Sequence, residues 1–454
     1  MTDNKYRPAK ITKKNIIDSY GHHIPFSSPR ITHVWPIDTS YYLSRLAKSF
    51  FEKRGFNFRI CGKTDSAVLQ AARYITSGKE CLPMNAIAGS IYTDLCTRDD
   101  DEISLYYSPN NGGPCQIGAW PLIFDTFTEK NKIRNAIFCM SLNEKHNYFG
   151  KGLGFLKDFT SIFYISDMIE EAKSALKCVA KDRMDALKIF DEVTEEVINS
   201  AKINHSALIK SLRNWNNKLS KIPRKCKLKD VPKILIFGGL NILFDHHPVT
   251  KYFENQSIIV KQIDITEGII SMQCEELYKY CISNNILDPE NQFKYMHYFI
   301  SLFQNSIKNI LCSKPKSNNA LKAAEARLSI TYLEFIIKKY RKFLGQSGLL
   351  FDEYISFKDL AIEGHKYITN NAMTESSITV GRYLNTIKNS VFDGMINLGT
   401  FNCQPAMNSA AVLRSIVNMN DMPYVSMDCD GGELSANQMR LLESLVVQVR
   451  RFHA

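Results

Sequence analysis

Three short stretches set a cysteine beside a proline: Thr76-Ser77-Gly78-Lys79-Glu80-Cys81-Leu82-Pro83, Gly112-Gly113-Pro114-Cys115-Gln116-Ile117-Gly118 and Phe401-Asn402-Cys403-Gln404-Pro405. The chain has twelve cysteines, and only Cys81, Cys115 and Cys403 lie within two residues of a proline. Proline suits the first helical turn, where its missing N–H costs nothing. A cysteine at such a point lies near the positive end of the helix dipole, which lowers its pKa and favours the metal-binding thiolate. Three thiolates from three separate loops would form a metal or iron–sulfur site. The same residues also read as three buried apolar thiols, because free cysteine is among the most buried residue types. Any one of them could act as a nucleophile, although no histidine is paired with it by spacing.

The elements that must position these loops read as alternating strands and helices. Residues 31–36 form a strand, 41–54 a helix, 56–61 a strand and 65–76 a helix. Pro83 opens a helix to about residue 95, 103–107 is a third strand, a helix starts near Pro114, and 136–140 is a fourth strand. This is the βαβ rhythm of a parallel sheet. Cys115 falls on a loop after a strand, where ligands bind in open α/β sheets. Cys81 follows a helix, so the fold must bring its loop alongside. Residues 156–218 read as helical, and 219–230 are basic and contain Pro223. The rhythm restarts with a strand and glycine turn at 233–239, a helix over 245–253 and a strand over 257–263. A mainly helical insertion over 268–375 precedes a strand over 390–398 that leads to Cys403. A helix from Pro405, a last strand over 423–427 and an amphipathic helix over 435–452 close the chain. The expected division is a tail over 1–29, an α/β domain over 30–230 carrying Cys81 and Cys115, and a second over 231–454 carrying Cys403. The halves repeat one theme: parallel sheet, cysteine on a loop, helix behind it.

At 454 residues the chain is too long for one ordinary core. Its charged fraction of 23% and apolar fraction of 44% fit a globular protein rather than a disordered one. The formal net charge is +11, with clusters at Lys221, Arg224, Lys225, Lys227 and Lys229 and at Lys338, Lys339, Arg341 and Lys342. The other lysines are spread along the chain and read as a solvated surface, so no nucleic-acid partner is expected. Met1 is followed by polar residues without an apolar h-region, and no apolar run approaches a membrane span. A cytoplasmic protein with reduced thiols is expected. There is no CxxC pair, which argues against zinc ribbons and ferredoxin-type loops.

Other motifs carry less. The run Thr76–Lys79 lacks the first glycine of a phosphate loop, and Glu80 replaces its Ser or Thr. His246 and His247 are adjacent and face different ways, a poor chelate. Asp428, Asp430 and Glu433 around Gly431-Gly432 suit turn and capping chemistry better than cation binding.

The runs SGKECLP, GGPCQIG, the Phe237-Gly238-Gly239 turn, FNCQP and the closing DCDGGE segment resemble the 2-hydroxyacyl-CoA dehydratase superfamily. More narrowly, the chain is similar to acyl-CoA dehydratase activase-related proteins, often described as CoA activases, from about residue 30 to 454. The resemblance implies two Rossmann-like parallel-sheet α/β domains facing a central cleft, with helical additions. It implies a [4Fe–4S] or related cluster held by Cys81, Cys115 and Cys403, with one iron open to a substrate oxygen. Low-potential electrons would come from a separate ATP-hydrolysing activator of the sugar kinase/actin type, for reductive or radical dehydration of an acyl-CoA thioester or other small molecule. A dimer is expected by the same resemblance. Gln404 departs from the smaller or apolar residue usual after the third cysteine. No ATPase domain is present, so the chain does not resemble the activator itself. A non-enzymatic electron-transfer or scaffold subunit is the alternative expectation.

Overall fold

Runs of apolar, often β-branched residues buried on both faces build the centre of each half. A computed structural model describes residues 6–38, 40–107, 115–139, 153–238, 248–294, 319–372, 374–389 and 391–454. Among the described residues the strands in chain order are β1 (Lys10–Ile11), β2 (Asn15–Ile17), β3 (His23–Pro25), β4 (Ile31–Trp35), β5 (Asn57–Ile60), β6 (Ile103–Tyr107), β7 (Ala136–Cys139), β8 (Lys233–Phe237), β9 (Ile259–Gln262), β10 (Gly394–Thr400) and β11 (Tyr424–Cys429). β6, β8 and β10 are buried along their whole length, as central strands covered by helices on both faces must be.

Two four-stranded sheets result, with orders β5-β4-β6-β7 and β11-β10-β8-β9, and every ladder in them is parallel. Numbered within its own half, each sheet runs 2-1-3-4. The α/β class and the repeated theme expected from the sequence are therefore present, and the repeat extends to strand order. In both halves the order reverses between the first and third strands, the switch point where open α/β sheets bind ligands. β6 is the third strand of one half and β10 the third of the other. The strand before Cys403 begins later than expected, because Asp393 ends the preceding turn by accepting the Lys233 N–H at 2.8 Å.

The opening residues are more than a tail. β1, β2 and β3 form an antiparallel sheet, and Ile16 and Ile24 pack against Ile31, Ile103, Leu105 and Tyr107. These strands are too short to announce themselves in sequence.

Helices Leu153–Val179, Arg183–Ala201 and His205–Leu219 share one apolar core with helices Ile265–Ser283, Asn319–Leu344 and Phe357–His365, through residues such as Ile169, Phe190, Trp215, Leu277, Leu333 and Leu360. Sequence caps set several of their starts: Asp182 accepts from Met184 and Asp185, and Asn204 from Ala207. Helix Leu153–Val179 also meets the second sheet, where Ser174 Oγ accepts the Val260 N–H at 3.0 Å. The basic stretch at 219–230 thus separates two sheets but not two cores. No helix among the described residues is long and apolar enough to cross a membrane.

Candidate functional site

Each of the three cysteines is the N-cap of a helical segment. Cys81 precedes helix Leu82–Thr97, Cys115 precedes the 3-10 turn Gln116–Ala119 that runs into helix Trp120–Lys130, and Cys403 precedes helix Gln404–Ile416. Pro83, Pro121 and Pro405 lie in the first turns, as the proline rule anticipates for the first and third. Cys81 and Cys403 are buried and Cys115 is half-buried. Cys115 and Cys403 occupy equivalent places, each following the third strand of its sheet. The Gly112-Gly113-Pro114 part of the second motif lies outside the described residues.

Four hydrogen bonds bring the loops together. The Cys81 N–H donates to Gln116 Oε1 at 2.8 Å, and Gln116 Nε2 donates to the Asn402 carbonyl at 3.4 Å. Asn402 Nδ2 donates to the Lys79 carbonyl at 2.7 Å, and the Leu82 N–H to the Phe401 carbonyl at 3.0 Å. Asn402 adopts a left-handed conformation, φ 56°, which asparagine tolerates better than most residues. Leu82, next to Cys81, is part of the second half's core with Ile236, Leu398, Met427 and Cys429. The loop that sequence left after a helix is thus carried across to the other sheet.

The DCDGGE segment supports that crossing. Gly431 has φ +84°, and a Cβ there would lie 2.9 Å from Leu69 Cδ1 and 3.2 Å from Leu82 Cδ1. Asp430 Oδ1 accepts the Gly432 N–H at 2.9 Å, and Ser435 with Gln438 forms a capping box on helix Ala436–His453. The turn and capping reading of these acids holds for Asp430.

The electrostatics correct one expectation. Burial pushes the thiols up, Cys81 to about 11 and Cys115 and Cys403 to about 12, and this outweighs the helix N-termini. The amides still act in the expected direction: the N–H groups of Met84, Ile117 and Ala406 favour the respective thiolates, although none closes an ordinary capping bond. Cys115 is raised further by the charges of Cys403 and Cys81, and Cys403 by that of Cys81. The three thiols therefore lie within electrostatic reach of one another. Without a cation among them they rest as neutral thiols.

Among the described residues, no three His, Cys, Asp or Glu side chains close on one point as a single metal ion requires. The three thiols are near enough to feel one another's charge, yet not gathered around one atom. Thr400 is buried beside Cys403, and its side-chain hydroxyl favours the Cys403 thiolate. The donor set, all thiol and fed by amide N–H groups, suits an iron–sulfur cluster better than a hard cation.

Glu375 is a fourth group that the sequence did not single out. It lies in the turn before helix Ser376–Asn389, and its charge opposes ionisation of all three thiols. Gln116 and Asn402 were also passed over, although both sit inside the motifs; a Cys-Gln pair in each half, at 115–116 and 403–404, was the available signal.

The remaining motifs take structural places. Glu80 Oε1 accepts from both the N–H and hydroxyl of Ser77, so the Thr76–Lys79 run folds on its own carboxylate rather than around a phosphate. Arg224 donates to the Ser347 and Gly348 carbonyls, and Arg341 to Glu171, so these two members of the basic clusters are used internally. Asp245, His246 and His247 lie outside the described residues. A cavity of about 410 Å³ opens away from the thiols, between helix Leu153–Val179 and the end of β9, lined by Asp167, Lys177, Lys251, Lys261 and Asp264. Lys177 and Lys261 are paired there with Glu254, Glu171 and Asp264.

Two parallel-sheet α/β units with a three-thiol cluster of helix N-termini between their loops define the class of this molecule. No protein-family profile matches the chain, and no curated protein matches it significantly.

Proposed function

We propose that this chain is an iron–sulfur-cluster protein related to 2-hydroxyacyl-CoA dehydratase subunits, with Cys81, Cys115 and Cys403 holding a [4Fe–4S] or related cluster. The observation that carries this reading is the convergence of three thiols, from loops of both halves, through the Gln116–Asn402 clasp. The all-cysteine donor set and its helix N-termini support it further. When bound, such a cluster supplies a Lewis-acidic iron and a one-electron relay.

The chain's own residues do the rest. The Met84, Ile117 and Ala406 amides stabilise charge on sulfur, burial keeps water from Cys81 and Cys403, and the clasp fixes the spacing of the loops. Low-potential electrons would come from an ATP-hydrolysing activator of the sugar kinase/actin type. They would serve reductive or radical dehydration-type chemistry on an acyl-CoA thioester or other small molecule. The protein would work in the cytoplasm, where its thiols stay reduced; the eleven described cysteines are all free.

The test is to mix the cluster-loaded protein without oxygen with such an activator, ATP and a panel of 2-hydroxyacyl-CoA thioesters. ATP-dependent bleaching of the visible spectrum followed by formation of the enoyl thioester is expected. Bleaching without turnover would leave the electron-transfer role and remove the enzymatic one. No ATP-dependent reduction would remove both.

A further inference from the structure

Three links pin the walls of the cavity of about 410 Å³ beside β9. Ser174 Oγ, on helix Leu153–Val179, accepts the Val260 N–H at 3.0 Å. Gln262 Nε2 donates to Thr250 Oγ1, on helix Pro248–Asn255, at 2.9 Å. Lys177 Nζ donates to both carboxylate oxygens of Glu254 at 2.8 and 2.7 Å. Strand and both helices are thereby tied to one another around the opening, so the cavity is formed before anything enters it.

Its charged groups fall into two sets. Lys261 is buried between Glu171 and Asp264, Lys177 is spent on Glu254, and Lys173 reaches Asp191. The Asp167 carboxylate holds the Ile265 and Thr266 amides at 3.0 Å each, and Glu170 accepts from Ser40 Oγ at 2.8 Å. Arg183 and Lys251 differ. Both line the cavity, both are exposed, and neither has an ion pair among the described residues. Asp182, beside Arg183, is occupied with the Met184 and Asp185 amides. The Lys177–Glu254 bridge fixes what carries the two cations: Lys251 is one turn from Glu254 on the same helix, and Arg183 follows Lys177 across the turn that ends helix Leu153–Val179. Each also stands in the opening turn of its helix, where the dipole opposes a positive charge, so helix stability does not call for either.

We propose that this cavity binds a small phosphate-bearing molecule, with Arg183 and Lys251 receiving the phosphate. Two cations on separate helices match a head that carries nearly two negative charges at neutral pH. The remaining volume admits the body of a small molecule, and the wall meets it with the Ser40 hydroxyl on Glu170 and the Lys173 ammonium on the Tyr42 hydroxyl, groups that hydrogen-bond a hydroxyl-bearing body. The site shares no residue with the three cysteine loops, so its test reads the same whether or not the chain carries a cluster.

The experiment is isothermal titration of the full chain with glycerol 3-phosphate, inorganic phosphate, glycerate and glycerol. The proteins are wild type, R183Q, K251Q, the double variant, and K339Q as an exposed basic control from another helix. Expected is binding of both phosphates, with the ester the tighter, and little heat from glycerate or glycerol. R183Q and K251Q should each weaken the ester about 10-fold, the scale of one charge-assisted hydrogen bond. The double variant should abolish binding, and K339Q should match wild type. Circular dichroism checks that the variants are folded. Absence of phosphate binding in wild type overturns the proposal, as does equal weakening in K339Q, which would assign it to general surface charge. Glycerate bound as tightly as the ester overturns the choice of phosphate.

Discussion

Gln116 Oε1 accepts the backbone N–H of Cys81 at 2.8 Å, so the second cysteine motif holds the first. The other end of the same amide donates to the Asn402 carbonyl, one residue before Cys403. One side chain therefore reads the backbone of both other loops, using the acceptor and the donor ends of its amide. Gln116→Leu should leave the partly buried Cys81 N–H unpaired and cost about 1–3 kcal/mol. Gln116→Glu keeps the acceptor and loses the donor, so it should cost less. Urea unfolding of both variants measures this. An unchanged midpoint in Gln116→Leu would mean the loops are held by packing alone.

Gly431 works on the same loop from the opposite side. Its φ of +84° strains any side chain there, and a Cβ would also push against Leu69 Cδ1 at 2.9 Å and Leu82 Cδ1 at 3.2 Å. Gly431→Ala should cost about 1–3 kcal/mol through backbone strain and should loosen Leu82 from the second core. The neighbouring Gly432→Ala, whose Cβ would meet only the Asp430 carboxylate at 3.2 Å or more, should cost less. Thermal unfolding of the pair compares the two positions directly; equal losses would contradict this account.

The helical layer depends on Glu171, which is fully buried. It accepts from Arg341 at 2.7 Å and from the Phe351 and Asp352 amides at 2.7 and 3.0 Å, with Lys261 Nζ at 3.0 Å. Burial alone would push its carboxyl up, but Lys261 and Arg341 override that and hold it ionised, with its pKa lowered. Glu171→Ala should cost about 3–5 kcal/mol, because it removes the buried carboxylate that Lys261 and Arg341 share and leaves Arg341 without its partner. Chemical denaturation measures the loss, and a loss below 1 kcal/mol, roughly that of an exposed pair, would show the network to be water-filled.

His33 predicts an acid limit. It is fully buried among Phe51, Phe56 and Tyr107, with Nδ1 2.8 Å from the Tyr107 hydroxyl, and burial lowers its pKa to about 3 from the usual 6.5. Between those two values the unfolded chain binds the proton and the folded chain does not. His33 therefore favours folding fully above about pH 6.5, and that contribution declines as pH falls toward 3, by up to about 1.4 kcal/mol per unit. Unfolding free energies of wild type and His33→Gln at pH 7, 6 and 5 should show a shallower slope in the variant. Parallel slopes would assign the acid sensitivity to other groups.

The eight strands of the two sheets were readable because short apolar runs alternate with helical patterns, several of them opened by a proline. Two things were not. β1–β3 are two or three residues long, and Ile16 and Ile24 rest them on β4 and β6. The helical layer looked like two separate additions, because nothing local says that Ile169 and Leu333 share a core. At the site, the three cysteines were legible from their prolines. Glu375 was not, since a lone acid before a helix is ordinary; only the fold brings its charge to bear on the three thiols. The thiol pKa values went the other way from the sequence argument because burial, invisible in a linear motif, outweighs the helix N-terminus.

The central claim is that Cys81, Cys115 and Cys403 hold an iron–sulfur cluster. Iron and acid-labile sulfide, with the visible spectrum, should be measured on protein purified without oxygen, alongside C81S, C115S, C403S and the buried-core control C274S. About four irons and four sulfides per chain, lost or sharply reduced in the first three variants and kept in the fourth, is the predicted result. Colourless, iron-free protein that resists reconstitution, or equal iron in all four variants, would contradict it and return the three cysteines to the core.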